Sequence, residues 1–193
     1  MKISDNVSPA DNQQERLIGW IIGFVDGEGC FSINFARQPD RQEKTRIRRG
    51  YKTGYQISHH FAVTQGERGL AALERIKSFF GVGQIYRNRR HDNHKEDLFS
   101  YKVGKRADLL KVIIPFFEKS ALQTSKRNDF ALFAQCVRSM SKKEHLNVEG
   151  MVKMARLTQL MNHKKSRIKL IRILRDYTPS SITKGREDIV PSA

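Results

Sequence analysis

Residues 17–29 read LIGWIIGFVDGEG, a run of nine apolar residues and glycines that ends in two acids alternating with two further glycines. Gly19, Gly23 and Gly27 recur every four residues, so on a helix they align as one smooth stripe, although each interior glycine costs about 1 kcal/mol relative to alanine. A second backbone is expected to approach that stripe. It could come from elsewhere in the chain or from a second copy; packing within the chain leaves the two acids unexplained. Asp26 and Glu28 fall at the C-terminal end of the helix, where the macrodipole is already negative, so they are misplaced unless a cation compensates them. Local rules that fail together mark a candidate functional site.

The 193 residues carry 36 Lys and Arg against 20 Asp and Glu, a net charge of +16. No acidic half balances this charge, so the expected partner is a polyanion, nucleic acid before an anionic membrane. The longest apolar run is nine residues, well short of the ~20 that span a bilayer, so no membrane partner is expected. The length fits a single folded domain over residues 16–176. Residues 1–15 are expected to be a flexible segment; they are polar and contain acids, unlike a signal peptide or an Arg-rich transit peptide. Residues 177–193 have the composition of a disordered tail. Cys30 and Cys136 are too few for a secreted disulfide framework, so an intracellular, reducing compartment is expected.

Residues 16–26 are expected to be helical. Period two follows over 30–38, with Phe31, Ile33 and Phe35 on one face and Ser32, Asn34, Ala36 and Gln38 on the other. Residues 39–53 form a basic loop, with six Lys or Arg beside only Asp40 and Glu43. Period two returns over 55–65, with Tyr55, Ile57, Phe61 and Val63 inward and Gln56, Ser58, His60 and Thr64 outward, and the two strands are expected to pair through the loop. Helical spacing at Leu70, Leu73, Ile76 and Phe80 ends at Gly81-Val82-Gly83, a glycine stop. Strands at 83–90 and 97–103 flank a polar turn. Helices are expected at 106–114 and 126–140, joined across Pro115, and again at 147–162 and 164–176.

One face of such a sheet must lie on the helices. The other presents Asn34, Gln38, Gln56, Ser58, His60, Thr64, Gln84, Asn88, Ser100 and Lys102, with Ser32 and Tyr86 beside them. Amides and hydroxyls are the groups that base edges require. Arg46 and Arg48 in the basic loop, and Arg90 with Arg87 and Arg89, are expected to meet phosphates.

The stretch Ile21-Ile22-Gly23-Phe24-Val25-Asp26-Gly27-Glu28-Gly29 resembles the signature of the LAGLIDADG homing endonucleases, with both glycines in register and acids at both acidic positions. The strand ending Phe61-Ala62-Val63-Thr64-Gln65, the Gly81-Val82-Gly83 turn and the stretch from Pro115-Phe116-Phe117 to Lys126-Arg127 are similar to family features in the same order. The resemblance covers roughly residues 16–140. It implies an α+β fold: an αββαββα core with a curved antiparallel sheet for DNA binding and extra C-terminal helices. A single motif copy implies a homodimer whose motif helices pack along Gly19 and Gly23, presenting two sheets to the half-sites of one long pseudo-palindromic duplex site.

The resemblance further implies that Glu28 is the metal-binding acid, with the carbonyl of Gly27 beside it. Mg²⁺ needs only one or two carboxylates, because waters and phosphate oxygens complete its shell; Mn²⁺ is a substitute. Gln65 matches the position that organises water around the metal. Lys126 and Arg68 are candidates for the basic catalytic residues, although the better register sets Gly69 at the place of Arg68, and Lys119 is an alternative to Lys126. Asp26 is expected either to fix the helix end or to contact the partner subunit. His91, His94 and the pair His59-His60 lack the Cys or carboxylate spacing of a zinc site, so no zinc is expected.

The function so implied is a metal-dependent, site-specific double-strand DNA endonuclease that hydrolyses phosphodiester bonds. The length and the absence of splicing-domain sequence favour an intron over an intein as its source, in a bacterial cytoplasm or an organelle matrix. The alternative on the same fold is an intron-splicing maturase, with intron RNA as a partner, or a DNA-binding regulator that does not cut. Regulators built this way lose the motif acids, whereas Glu28 and Gln65 are both present.

Overall fold

Leu17, Ile21 and Val25 lie one turn apart on α1 (Pro9–Glu28) and pack into the core, Ile21 and Val25 with no exposed surface. The computed structural model, which describes residues 9–38, 40–89, 96–161 and 166–176, sets this helix against an antiparallel sheet. β1 (Gly29–Arg37) follows α1 directly and pairs with β4 (Tyr55–Gly66); β4 pairs with β6 (Leu98–Val103), and β6 with the edge strand β5 (Gln84–Asn88). The register sets Phe61 between Phe31 and Val103, and Val63 between Gly29 and Tyr101. The inward residues of all three strands therefore share one face.

α1 is already helical at Pro9, ahead of the expected start at residue 16, because the mostly polar residues between Pro9 and Leu17 carry no apolar period that would announce them. The basic loop also holds more structure than expected, a small hairpin of β2 (Arg41–Gln42) and β3 (Ile47–Arg48). Its base is closed by Gln38 N donating to Gly54 O at 2.8 Å, Tyr51 N to Gln38 O at 3.1 Å and Gly50 N to Asp40 Oδ1 at 2.7 Å.

Helices cover the inward face. α2 (Leu70–Phe80) ends at Gly81 with φ 65°, the left-handed stop expected there. α3 (Arg106–Asp108) runs through a π-helical turn at Leu109–Ile113 into α4 (Ile114–Lys119), so the chain does not stop before Pro115. Proline lacks an N–H and clashes with the carbonyl four residues back; the wider π turn moves that carbonyl out of its way. α5 (Lys126–Ser141) delivers Phe130 and Phe133 to Phe31, whose ring centroid lies 5.3 and 5.4 Å from theirs, 5.1 Å from Phe61 and 5.7 Å from Phe117. Each such pair adds about 0.5–1.5 kcal/mol beyond its buried area.

α6 (Val148–Gln159) and α7 (Ile168–Arg175) form a second small core, in which Met151, Val152, Ala155 and Leu174 pack on Phe35, Tyr55 and Ile57 at the far end of β1 and β4. The Asn147 side chain caps α6 by accepting from Gly150 N at 2.7 Å. Cys30 and Cys136 are both free thiols; burial pushes that of Cys136 up to about 12. No helix among the described residues is long and apolar enough to cross a membrane. The expected tail at 177–193 lies outside the described residues.

His59 has the parity of Ile57 and Phe61 and so points to the inward side, where neither ring nitrogen has a hydrogen-bond partner among the described residues. Burial first, then the charges of Arg106, His145 and His60, lowers its pKa from 6.5 to about 4. Between those values the unfolded chain binds a proton that the folded chain refuses, so stability is full above about pH 6.5 and declines as pH falls through this window. Urea midpoints measured at about pH 7 and about pH 4.5 are expected to differ more in the wild type than in His59→Gln. Equal differences in the two proteins would exonerate His59.

Candidate active site and nucleic-acid interface

The end of α1 and the start of α5 are clamped to each other by opposite charges. The carboxylate of Asp26 accepts from Gln123 N at 2.8 Å, from Thr124 N at 3.2 Å and from Thr124 Oγ1 at 2.7 Å. In return, Lys126 Nζ donates to Gly29 O at 2.6 Å and to Gly27 O at 3.3 Å. The last carbonyls of a helix have no partner within it and carry the negative end of its dipole; Lys126 satisfies both needs. The Asp26 carboxylate is thus engaged with the residues just ahead of α5. The carbonyl of Gly27, the other expected metal ligand, accepts from Lys126 at a longer distance than that of Gly29. Glu28 is exposed and carries no hydrogen bond or ion pair among the described residues, so the cation that would compensate it must come from outside them.

Gln65 lies two residues beyond the Val63–Gly29 pair, at the end of the sheet next to the end of α1. Its side chain folds over Gly69: a Cβ at residue 69 would meet Gln65 Cβ at 2.7 Å and Gln65 Oε1 at 3.0 Å. A basic residue at 69 would displace Gln65. Arg68, on the short 3-10 turn Glu67–Gly69, is turned away: its side chain is 92% exposed and pairs with Glu96 at 3.4 Å. The geometry thus brings Lys126 to the motif and leaves Arg68 out. Lys119, the other candidate, sits exposed in the last turn of α4.

Gly19, Gly23 and Gly27 are all exposed, and a Cβ built on any of them meets nothing within 4 Å. They lie opposite Ile21 and Val25, and no described segment of the chain covers them. Trp20 flanks the stripe, its ring tilted by 30° to that of Phe24 at 5.2 Å and covered by the Arg75 guanidinium at 4.9 Å.

The outward face of the sheet assembles as the alternation implies. Cross-strand pairs join Ser32 to His60, Asn34 to Ser58, Thr64 to Ser100, Ser100 to Tyr86 and Lys102 to Gln84, with Gln56 and Asn88 in the same phase. Burial, and then Lys102, lowers the pKa of His60, which favours the neutral ring as both donor and acceptor. Thr64 Oγ1 donates to Ser100 Oγ at 3.0 Å, and Gln84 Oε1 accepts from Lys77 Nζ at 3.2 Å. At one end of this face the hairpin walls an open cavity of about 350 Å³ lined by Gln38, Gln56, Arg41, Arg48, Arg49 and Tyr51, with no carboxylate. Arg46 is exposed at the hairpin turn, held by Glu43 at 3.0 Å. Arg90, His91 and His94 lie outside the described residues. Thr124 and Tyr51 were missed from spacing alone; the Thr-Ser pair just before α5 was the one available sign of a helix-start role for Thr124.

Thr124→Val is expected to cost about 1.5–3 kcal/mol, the range for a hydrogen bond to a charged group, and Asp26→Ala more. In a double-mutant cycle read by urea denaturation the two losses should overlap by about 0.5–3 kcal/mol. Simple additivity would show that the two residues do not act as one clamp.

Residues 21–137 match the family model described as LAGLIDADG endonuclease. The Neurospora crassa protein named probable intron-encoded endonuclease 2 is 28% identical over 172 residues, which cover 88% of this chain and 33% of that protein. Among solved structures, the homing endonuclease I-TnaI superposes with a TM-score of 0.64 at 34% identity, over 82% of this chain and 95% of its own. I-SmaMI bound to uncleaved DNA target in the presence of calcium ions superposes with a TM-score of 0.63 at 32% identity, over 83% of this chain and 49% of its own. The chain spans between 25% and 36% of the length of five curated relatives. With the motif helix, the antiparallel sheet and the helix-end clamp in place, this chain belongs to the LAGLIDADG endonuclease family.

Proposed function

We propose that this chain is the DNA-reading and DNA-cutting unit of an intron-encoded, site-specific double-strand endonuclease, working as a homodimer on a long pseudo-palindromic site. The observation that carries this reading is the end of α1, where Glu28, exposed and unpaired among the described residues, stands beside the carbonyls that Lys126 holds, at the edge of a polar antiparallel sheet. The sheet supplies amides and hydroxyls for base edges, and the hairpin arginines supply charge for phosphates. A two-fold pairing along the open glycine stripe would bring two copies of Glu28 towards one duplex, one for each strand.

No group of three or more His, Cys, Asp and Glu gathers among the described residues, so one chain alone builds no metal cage. A single hard carboxylate fits a cation that completes its shell with phosphates and water. Glu28 would hold such a divalent ion, Mg²⁺ or Mn²⁺, with the Gly27 carbonyl, which Lys126 grips less closely than that of Gly29. When bound, the ion supplies neutralisation of phosphate charge and a more acidic water. Lys126 then presents a fixed ammonium to the charge that develops at the scissile phosphate, and Gln65 holds water by its amide. The relatives named as intron-encoded favour a source in an organelle or bacterial cell that houses the intron.

Glu28→Gln keeps the side-chain shape and removes the charge a hard cation needs. Cleavage of a target identified from a library of intron-free alleles should vanish, while binding to the same duplex survives or tightens. Wild-type protein that binds a defined site but never cuts it with Mg²⁺ or Mn²⁺ would decide instead for the maturase or regulator. Gly23→Leu should convert the dimer to a monomer, because a branched side chain in the stripe holds the helices apart. Sedimentation of the wild type as a monomer with and without DNA would remove the dimer.

A further inference from the structure

The turns of α1 ahead of its motif are polar, and residues 12–16 are all exposed. Arg16 stands seven residues before Gly23. At ~100° per residue that spacing returns it to within about 20° of the line of Gly23 in the glycine stripe, roughly 10 Å further along the axis. Glu15 falls about 80° to one side of the same line. Neither charge is answered within the chain: no ion pair among the described residues involves Glu15 or Arg16. They do not answer each other either, because residues adjacent in sequence do not face one another on a helix. The one bare face of the motif helix is thus continued by an acid and a base that are both free of described partners.

A glycine stripe sets how closely two helices approach, but it carries no charge by which one partner is preferred to another. Resting on the homodimer reading, we propose that Glu15 and Arg16 select the partner: in a parallel pair of α1 helices, Arg16 of each subunit meets Glu15 of the partner subunit. With the helices parallel, two Arg16 side chains arrive at the seam together, and unanswered they would oppose association. A two-fold axis along the helices turns the flank that carries Glu15 on one copy to the side toward which Arg16 leans on the other. The contact is therefore made twice, once on each side of the axis. Helices that touch at glycine diverge on either side of the contact, so about 10 Å away only long side chains still span the gap, and glutamate and arginine are long enough. The pair lies about 18 Å along the axis from Glu28, so it acts apart from the cutting end. An antiparallel pair would instead bring Arg16 towards Glu28 of the partner subunit and leave Glu15 idle.

Sedimentation of the full chain at low salt, with and without a mixed-sequence duplex, reads the pairing. Glu15→Arg and Arg16→Glu should each weaken self-association about tenfold, because each turns two attractions into two repulsions. Both positions are exposed and both replacements are good helix formers, so circular dichroism should report an unchanged fold. Mixed in equal amounts, the two variants should form the heterodimer in preference to either homodimer. The double exchange, Glu15→Arg with Arg16→Glu on one chain, keeps the net charge and should regain the self-association of the wild type. High salt should erase the differences, since the pairs are exposed and screened. A dimeric wild type whose single reversals and mixture all pair equally well overturns the contact and leaves the homodimer standing. Loss with Arg16→Glu but none with Glu15→Arg assigns an antiparallel seam and overturns it too. A wild type that stays monomeric under every condition removes the homodimer, and this contact with it.

Discussion

The reciprocal clamp between the end of α1 and the start of α5 is the contact on which both the core and the candidate site depend. A helix leaves unpaired carbonyls at one end and unpaired amides at the other. Here the motif helix answers the amides ahead of α5 through Asp26, and α5 answers the carbonyls of the motif helix through Lys126. Because Gly29 is also the first residue of β1, the same lysine ties the sheet to both helices. α5 then carries Phe130 and Phe133 onto Phe31. Glu28 is thereby held at a defined point without any side-chain bond among the described residues, which leaves its charge available.

Much of this was legible in the chain because its signals are local. Alternation in 30–38 and 55–65 names the two faces of the sheet, and once each strand has one apolar face its register follows. The glycine spacing in α1 announces an open stripe opposite Ile21 and Val25, and no described residue covers that stripe. Lys126 was legible through resemblance alone; its contact with Gly27 spans 99 residues, and no pattern of spacing points across that distance. His59 breaks the inward alternation of β4, and its consequence appears only when Arg106 and His145 arrive from elsewhere.

What escaped has physical causes of the same kind. The β2–β3 hairpin has two residues per strand, too few to show a period, and is closed mostly by backbone groups whose partners do not depend on side-chain type. Pro115 reads as a break, yet a π turn absorbs it, because the surrounding Leu109, Ile113, Ile114 and Phe117 are all buried and hold the helix against the core. Arg68 is close to Gln65 in sequence, but a 3-10 turn rotates it outward to Glu96. Gly69 is the more informative residue there, since its missing side chain makes the space that the Gln65 amide fills.

The charge balance sets how the fold and its partner share the work. Glu43, Glu96, Asp97, Glu118 and Glu144 pair with arginines or lysines, but at least one partner in each pair is solvent-exposed, and such pairs contribute about 0–1 kcal/mol. They orient Arg46, Arg68 and Arg87 more than they stabilise the domain. The remaining excess of positive charge repels itself in the compact state and relaxes when the chain unfolds. The folded chain alone must therefore be held by apolar burial, and the aromatic cluster around Phe31 and the second core under α6 and α7 supply it. A polyanion that binds only the folded form removes the repulsion and adds its own binding energy to stability by mass action. A basic face without internal compensation thus couples folding to the binding of any polyanion it meets.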